Sequence, residues 1–386
     1  MSSRASVLVL GTADWNQPIA TNQHYAVREL AREFDVTFVE STGLRRPELS
    51  RRDLGRILRR LGRVVGKKGP IESAHDARPV PDGVTVVSPL VIPWHVPPFT
   101  WINRLLMTRL VRAWSSGGAS RMLWTYTPVT FGLERSVPTV YHCVDLLGSQ
   151  AGISQSVVEK GERALARAGA VAGASSEAVS RHLRDVGFRR IEEWPNVADL
   201  EVFAAGATSS PRRPRAVFAG NLTESKVDFR LLAELLGAGI EVHLAGPISE
   251  GGGDSHRAVR DLERAGAIHH GMVGPQELAD LLRSSTVGLI PYVINEYTRG
   301  VNPLKTYEYL AAGLAVVSTP VPAVVPDSVD VFVAATAEQL VARVRDLLPV
   351  PDEAAVDRRG AHASSHGWRD RGVRMRALVD ELTTTI

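Results

Sequence analysis

Residues 299–320, Arg299-Gly-Val-Asn-Pro-Leu-Lys-Thr-Tyr-Glu-Tyr-Leu-Ala-Ala-Gly-Leu-Ala-Val-Val-Ser-Thr-Pro, hold the densest set of groups able to do chemistry. Asn302 and Pro303 sit in a polar loop that runs into an apolar helix over Leu304–Ala312. Gly313 stops that helix, and Ala315–Ser318 reads as a short buried strand. Proline at the first turn and glycine just past the last are the expected start and stop. The N–H groups and positive dipole end of such a start can hold an anion such as a diphosphate. Glu308 falls about a turn and a half further in, an odd place for a charge among Leu304, Tyr307, Leu310 and Ala311. A carboxylate there can accept hydrogen bonds from a ribose diol while the helix start holds phosphates. The plain alternative is an ordinary loop, helix and strand with Glu308 on a solvated face.

A second cluster opens at Arg215-Ala-Val-Phe-Ala-Gly-Asn-Leu-Thr-Glu-Ser-Lys. A strand ends at Gly220, a polar loop with Asn221 follows, and Lys226 stands where a helix begins. Glycine permits close backbone approach, and lysine offers a point charge to a diphosphate. Alone, this signal is weak.

Strands and helices must alternate to position these groups, and they do so from the start of the chain. Ser6–Leu10 is an apolar strand, Gly11-Thr-Ala-Asp-Trp-Asn-Gln-Pro a loop, and Thr21 or Asn22 caps a helix with Tyr25, Ala26, Leu30 and Ala31 at helical spacing. Val36–Val39 is the next strand, which completes the opening unit of a parallel α/β sheet. Ligands in such sheets bind beyond the carboxyl ends of strands, so Asp14, Trp15, Asn16 and His24 are site candidates. A solvated loop and a structural histidine are the plain alternative. Pro138–Asp145 reads as a later strand with His142 and Asp145 near its carboxyl end. An Asp there can deprotonate a hydroxyl, or simply cap the next helix.

Arg45, Arg46, Arg51, Arg52, Arg56, Arg59, Arg60, Arg63, Lys67 and Lys68 face only Glu48 and Asp53 over residues 45–68. Leu54, Ile57, Leu58, Leu61, Val64 and Val65 recur there at helical spacing. This basic amphipathic helix, 51–65, suits an anionic membrane surface or a packed helix with a solvated basic face. Trp94 follows in the aromatic, proline-rich run Pro93–Trp101, a setting for a hydrophobic or lipid-linked molecule or for core packing.

A chain of 386 residues with 44% hydrophobic and 23% charged residues is long enough for two cores. A net charge of +3 speaks against a nucleic-acid polycation. One cysteine, Cys143, excludes an intrachain disulfide and suits a reducing compartment. No apolar run approaches the roughly 18 residues of a membrane span, and the N-terminus lacks a signal-peptide cleavage pattern. A cytoplasmic protein is expected, peripheral at the inner membrane face if the basic helix binds lipid. No metal-ligand spacing, Gly-x-Gly-x-x-Gly run, P-loop or Gly-x-Ser-x-Gly elbow is present. Hydride-transfer, ATPase and hydrolase readings lose their supports.

Pro303-Leu-Lys-Thr-Tyr-Glu-Tyr-Leu-Ala-Ala-Gly before Val316-Val resembles the donor-site segment of nucleotide-sugar glycosyltransferases of the GT-B fold, most of all the family 4 and family 1-like bacterial enzymes. The resemblance implies two Rossmann-like domains facing each other across a cleft. Residues 1–204 would bind acceptor and 210–365 donor, with Ala204–Arg215 as linker and 366–386 as a helix crossing back to the first domain. It implies that Glu308 holds the ribose, that Asn302, Pro303, Leu304 and Lys305 lie at the diphosphate, and that Gly220, Asn221, Lys226 and Gly246 form the facing loops. Met272 and Val273 match the position that contacts the base. Asp145, His142 and His24 are the catalytic candidates, and Asp14, Trp15, Asn16 and Trp94 the acceptor-side ones. Two positions depart from the family pattern. Gly300 stands where a donor-sugar Glu is usual, and Asn221 where many members have Arg, with Arg299 as a substitute.

The implied reaction moves a sugar from a UDP-, GDP- or dTDP-sugar to a hydroxyl of a lipid-linked glycan, a polysaccharide precursor or a natural product. It needs no metal cofactor and no nucleic-acid partner. A non-catalytic sugar-nucleotide or glycan-binding protein and a nucleotide-sugar epimerase are the alternatives on this fold.

Overall fold

The computed structural model describes residues 4–17, 20–44, 78–89, 91, 99–115, 120–150, 152–209, 211–248, 255–327 and 329–384. Trp94 and the basic stretch 51–65 lie outside the described residues. The chain divides into two compact units, Met1–Trp194 with Gly372–Ile386, and Pro195–Arg371.

Among the described residues the first unit carries seven parallel strands: β1 Ser6–Leu10, β2 Asp35–Val39, β3 Val84–Val87, β4 Arg121–Thr125, β5 Thr139–Cys143, β6 Val171–Ala174 and β7 Ile191–Glu193. Their order is β3-β2-β1-β4-β5-β6-β7, so the direction of winding reverses between β1 and β4. The sheet is buried on both faces along β1, where Val7, Leu8, Val9 and Leu10 are all inaccessible, and the strand accordingly reads as an unbroken apolar run. Ser88 and Pro89 follow β3, and proline cannot donate to a ladder. The strand therefore stops at Val87. The last helix, Trp368–Thr384, returns to this unit. There Arg376 bonds Glu29 and Glu33, and Arg190 bonds Glu381.

Among the described residues the second unit carries six parallel strands: β8 Ala216–Ala219, β9 Val242–Ala245, β10 Ile268–His269, β11 Val287–Ile290, β12 Ala315–Ser318 and β13 Val331–Val333. The order β10-β9-β8-β11-β12-β13 puts the reversal between β8 and β11. Ala204–Arg215, expected as an interdomain linker, lies inside this unit. Arginines hold it there. Arg212 donates to the carbonyls of Ser285, Ala207 and Ala312, and Arg283 donates to those of Val202 and Ala205. Burial beside Arg359 pushes the Arg212 guanidinium down to about 10, still charged at neutral pH.

Candidate functional site

Ligands of open α/β sheets bind outside the strand ends where the winding reverses. In the second unit that place lies between β8 and β11. The loop after β8 holds Gly220, Asn221 and Lys226, and the chain after β11 leads through the short helix Glu296–Gly300 to Asn302. The two loops are joined. Lys226 O accepts from Val293 N–H at 2.9 Å, and Asn295 Nδ2 donates to Ser225 O at 2.7 Å. Lys226 Nζ lies 4.9 Å from the centre of the Tyr292 ring, a cation–π distance. Asn295 also caps the helix Glu296–Gly300 in a reciprocal box with Thr298.

Gly246 closes the third side, after β9. Its φ is +136°, and a Cβ there would lie 2.0 Å from the Gly220 carbonyl oxygen, so no side chain fits between the two loops. Gly246 N–H donates to Gly271 O at 2.7 Å, and His269 Nε2 lies 3.1 Å from Gly246 O. Met272 is exposed, whereas Val273 packs against the core of the unit.

Leu304 caps the helix Lys305–Ala311, one residue shorter at each end than the sequence suggests. Glu308 is not on a solvated face. Its side chain is 12% exposed and its Oε2 lies 2.6 Å from Lys305 Nζ. The next residue anchors the helix. Tyr309 is fully buried, and its hydroxyl accepts from Ala219 N–H at 2.9 Å, at the end of β8. A Cβ at Gly288 would lie 2.3 Å from the Tyr309 ring, so β11 and the helix touch directly. Sequence reasoning missed Tyr309, whose signal was an aromatic hydroxyl inside an otherwise apolar helix face. Asn302 is buried, and its carbonyl accepts from Asn196 Nδ2 at 2.6 Å. Arg299 is exposed and Gly300 buried. Gly220, Asn221, Lys226, Gly246 and the run Asn302–Glu308 therefore come together around the carboxyl ends of β8, β9 and β11.

The candidates of the first unit behave differently. Thr21 N–H donates to His24 Nδ1 at 3.0 Å, and His24 Nε2 lies 3.3 Å from Asp14 O and 3.2 Å from Trp15 O. With Nδ1 accepting, the proton sits on Nε2 and the ring is neutral; burial and then Arg78 push its pKa down. Both nitrogens serve the backbone, so His24 fastens the Asp14–Gln17 loop instead of presenting a free base. Arg78 donates to Trp15 O and Gln17 O, its N–H donates to Asn16 Oδ1, and Glu40 accepts from Trp15 N–H. Trp15 is thus buried under a fixed loop.

His142 is buried in an aromatic cage. It stacks on Tyr126 at 4.8 Å and meets Trp124 and Trp194 edge-on, and those two indoles stack at 5.4 Å. Asp145 is half-buried two residues beyond β5, and its carbonyl accepts from Cys143 Sγ at 3.3 Å. Burial pushes the Cys143 thiol well up, as expected for a packed and unreactive cysteine. After β4, beside the reversal in this sheet, Phe131 has φ +58°. A bulky residue there carries about 1–2 kcal/mol of backbone strain, of the kind that gathers at functional sites. Nothing in the residue type signals it.

Among the described residues no group of three or more His, Cys, Asp and Glu is placed to hold a metal ion. His269 and His270 point apart, one to Gly246 O and the other to His243 Nδ1. No helix among the described residues is long and apolar enough to cross a membrane.

Residues 213–349 match the family model described as Glycosyl transferases group 1. A protein described as the teichuronic acid biosynthesis glycosyltransferase TuaH of Bacillus subtilis (strain 168) is 27% identical over 233 residues. That match takes in 54% of this chain and 57% of the relative, so the chain spans little more than half the length of the curated relative it matches. Among solved structures, sucrose-phosphate synthase (tll1590) from Thermosynechococcus elongatus aligns over 99% of this chain and 100% of its own, with a TM-score of 0.67 and 15% identity. An E. coli trehalose-6-phosphate structure bound with UDP-2-fluoro glucose aligns over 98% and 99%, with a TM-score of 0.64 and 13% identity. At such identities the likeness establishes the fold, which is GT-B.

Proposed function

Since residues 213–349 carry the group 1 glycosyl transferase pattern on a GT-B fold, we propose that this protein transfers a sugar from a nucleotide diphosphate sugar to an acceptor hydroxyl. The observation that carries the reading is the convergence of the Gly220–Lys226 loop, Gly246 and the Asn302–Glu308 run on the reversal between β8 and β11. In this reading Glu308 accepts the ribose hydroxyls, and the Asn302–Leu304 backbone and Lys226 meet the diphosphate. Charge grows on that diphosphate as the sugar leaves, and a fixed cation beside it lowers the barrier most in the transition state. The protein is a metal-independent hexosyltransferase working from a UDP-, GDP- or dTDP-sugar. Asp145 acts on the acceptor side as base or orienting group.

The acceptor is a lipid-linked glycan, a polysaccharide precursor or a natural product, and the protein works at the inner face of a membrane. The basic stretch 51–65 gives that contact in this reading. The helix Phe99–Leu110 supports it, with Trp101 69% and Leu105 41% exposed on one face with Arg104 and Arg109. No Asp or Glu occurs between Gly83 and Leu133, which favours an anionic lipid surface.

Thermal-shift measurements with UDP, GDP, dTDP, CDP and ADP test the donor site. Ligand at about 100 times its dissociation constant stabilises the native state by roughly 2.7 kcal/mol. A shift with one nucleotide that vanishes in Glu308→Ala supports the reading and names the base. No shift with any of the five removes it. Release of free nucleoside diphosphate in the presence of an acceptor separates a transferase from a protein that only binds.

A further inference from the structure

The chain passes between its two units twice, at Trp194/Pro195 and at Arg371/Gly372. On the side of the second unit the two passing segments are bonded to each other. Arg371 Nη2 donates to Pro195 O at 2.8 Å, Ala198 N–H donates to His366 O at 2.9 Å, and Ala198 and Gly367 form an isolated parallel bridge. The same segments reach the loop and helix that carry Glu308. Asn196 Nδ2 donates to Asn302 O at 2.6 Å. The ring of His366 stacks on Tyr307 with centroids 3.8 Å apart and planes within 11°.

Asn302 needs this outside support. Val301 N–H donates to Thr298 O and Thr306 N–H to Pro303 O, so neither serves the Asn302 carbonyl. Pro303 has no N–H to give. The buried Asn302 carbonyl is therefore held by a side chain more than a hundred positions earlier in sequence, from a segment fixed by Arg371 and His366.

We propose that Asn196 is a positioning residue for the nucleotide donor. Its amide fixes the Asn302 carbonyl and so sets the direction in which the Asn302–Leu304 backbone and the Glu308 carboxylate face a nucleoside diphosphate. The proposal rests on the donor-site reading above. It extends that reading to a segment that does not itself touch the ligand. Asn196 acts through Asn302, so its loss shows in donor affinity beyond what one lost hydrogen bond costs the stability of the unit.

The test uses the full chain, the nucleoside diphosphate that the parent protein binds in the five-nucleotide screen, and three variants. Asn196→Ala removes the donor. Asn196→Asp keeps the shape but sets a carboxylate oxygen against the Asn302 carbonyl. Asn196→Gln restores an amide on a longer stem. Calorimetric titration is expected to show affinity 10- to 100-fold weaker for Ala, at least as weak for Asp, and partly recovered for Gln. Unfolding midpoints without nucleotide are expected to fall only by the modest step that one unpartnered buried carbonyl costs. Should Asn196→Ala fail to fold, Asp and Gln carry the comparison alone. Variants that bind within twofold of the parent overturn the proposal and leave the donor reading standing. Variants that lose nucleotide only in proportion to lost stability also overturn it, since that is what a merely structural contact gives. A parent that binds none of the five nucleotides removes the donor reading and this proposal together.

Discussion

The ammonium of Lys305 and the carboxylate of Glu308 form a 2.6 Å ion pair three residues apart on one helix, both side chains largely withdrawn from water. The pair engages Oε2 of Glu308, and in the proposed donor site Oε1 accepts from the ligand. Hydrogen bonds to a charged group contribute about 1.5–3 kcal/mol, and losing them weakens binding about 10- to 100-fold. Glu308→Ala is expected to lose that much affinity for the preferred nucleotide by calorimetry. Lys305→Met removes only the group that steadies the carboxylate, and a smaller loss is expected. Equal losses in the two variants would place the ligand contact on the pair as a unit.

Lys226 offers a different signature. Its cation is fixed over Tyr292 at the reversal of the sheet, where in the proposed reaction diphosphate charge develops during transfer. Lys226→Met is expected to lower kcat by about 10²–10³, the range seen when one fixed transition-state donor is removed, with a smaller effect on nucleotide affinity. Kinetics showing the reverse split would make Lys226 a binding residue only.

Gly246 admits no substitute. A methyl group 2.0 Å from the Gly220 carbonyl oxygen must push two backbone segments apart, which no rotamer change relieves. Gly246→Ala is expected to abolish nucleotide-induced stabilisation while the far-ultraviolet circular dichroism keeps its α/β shape.

Tyr309 tests the packing beneath the site. Phenylalanine there fills the same volume but leaves the buried Ala219 N–H without its 2.9 Å partner, a loss of about 1–3 kcal/mol. Urea unfolding of Tyr309→Phe is expected to show that decrease as a lower midpoint at unchanged slope.

In the first unit a pH effect follows from His182. Its Nε2 lies 2.8 Å from the buried carboxylate of Glu162, which also accepts from Tyr141 Oη at 3.0 Å. The hydrogen bond to Glu162 raises the His182 pKa above its ordinary value. A group raised in the folded state contributes stability that is complete below its unfolded pKa and is lost as pH rises through the folded one. The stability gap between the parent and His182→Gln is therefore expected to be widest on the acid side of the ordinary histidine range and to narrow above it. Urea titrations across that range check the direction.

Much of the second unit was legible in the sequence because its signals are local. Pro303, Glu308 and Gly313 mark a helix with a start, a charge and a stop. Gly220 and Lys226 sit at the ends of an apolar strand and a polar loop, where backbone approach and charge can be read from residue type. What stayed hidden depends on contacts distant in sequence. The Tyr309 hydroxyl finds its partner only where β8 brings Ala219 beside it, and the Asn196 amide only where the fold brings Asn302, so neither residue type signals its bond locally. The Ala204–Arg215 stretch has a linker's composition, yet Arg212 and Arg283 bind it down through carbonyls that composition does not display. His24 carried the chemistry of a base, and only the positions of Thr21, Asp14 and Trp15 assign its two nitrogens to the backbone.

The return of the last helix to the first unit means that the two halves of this protein cannot be separated by one cut. A fragment ending at Trp194 would keep the whole seven-stranded sheet but forfeit Arg376, whose guanidinium reaches Glu29, a carboxylate only 1% exposed. Such a fragment should be rescued by adding the peptide 372–386 in trans. The second unit, bounded at Pro195 and Arg371, is the piece that should stand alone.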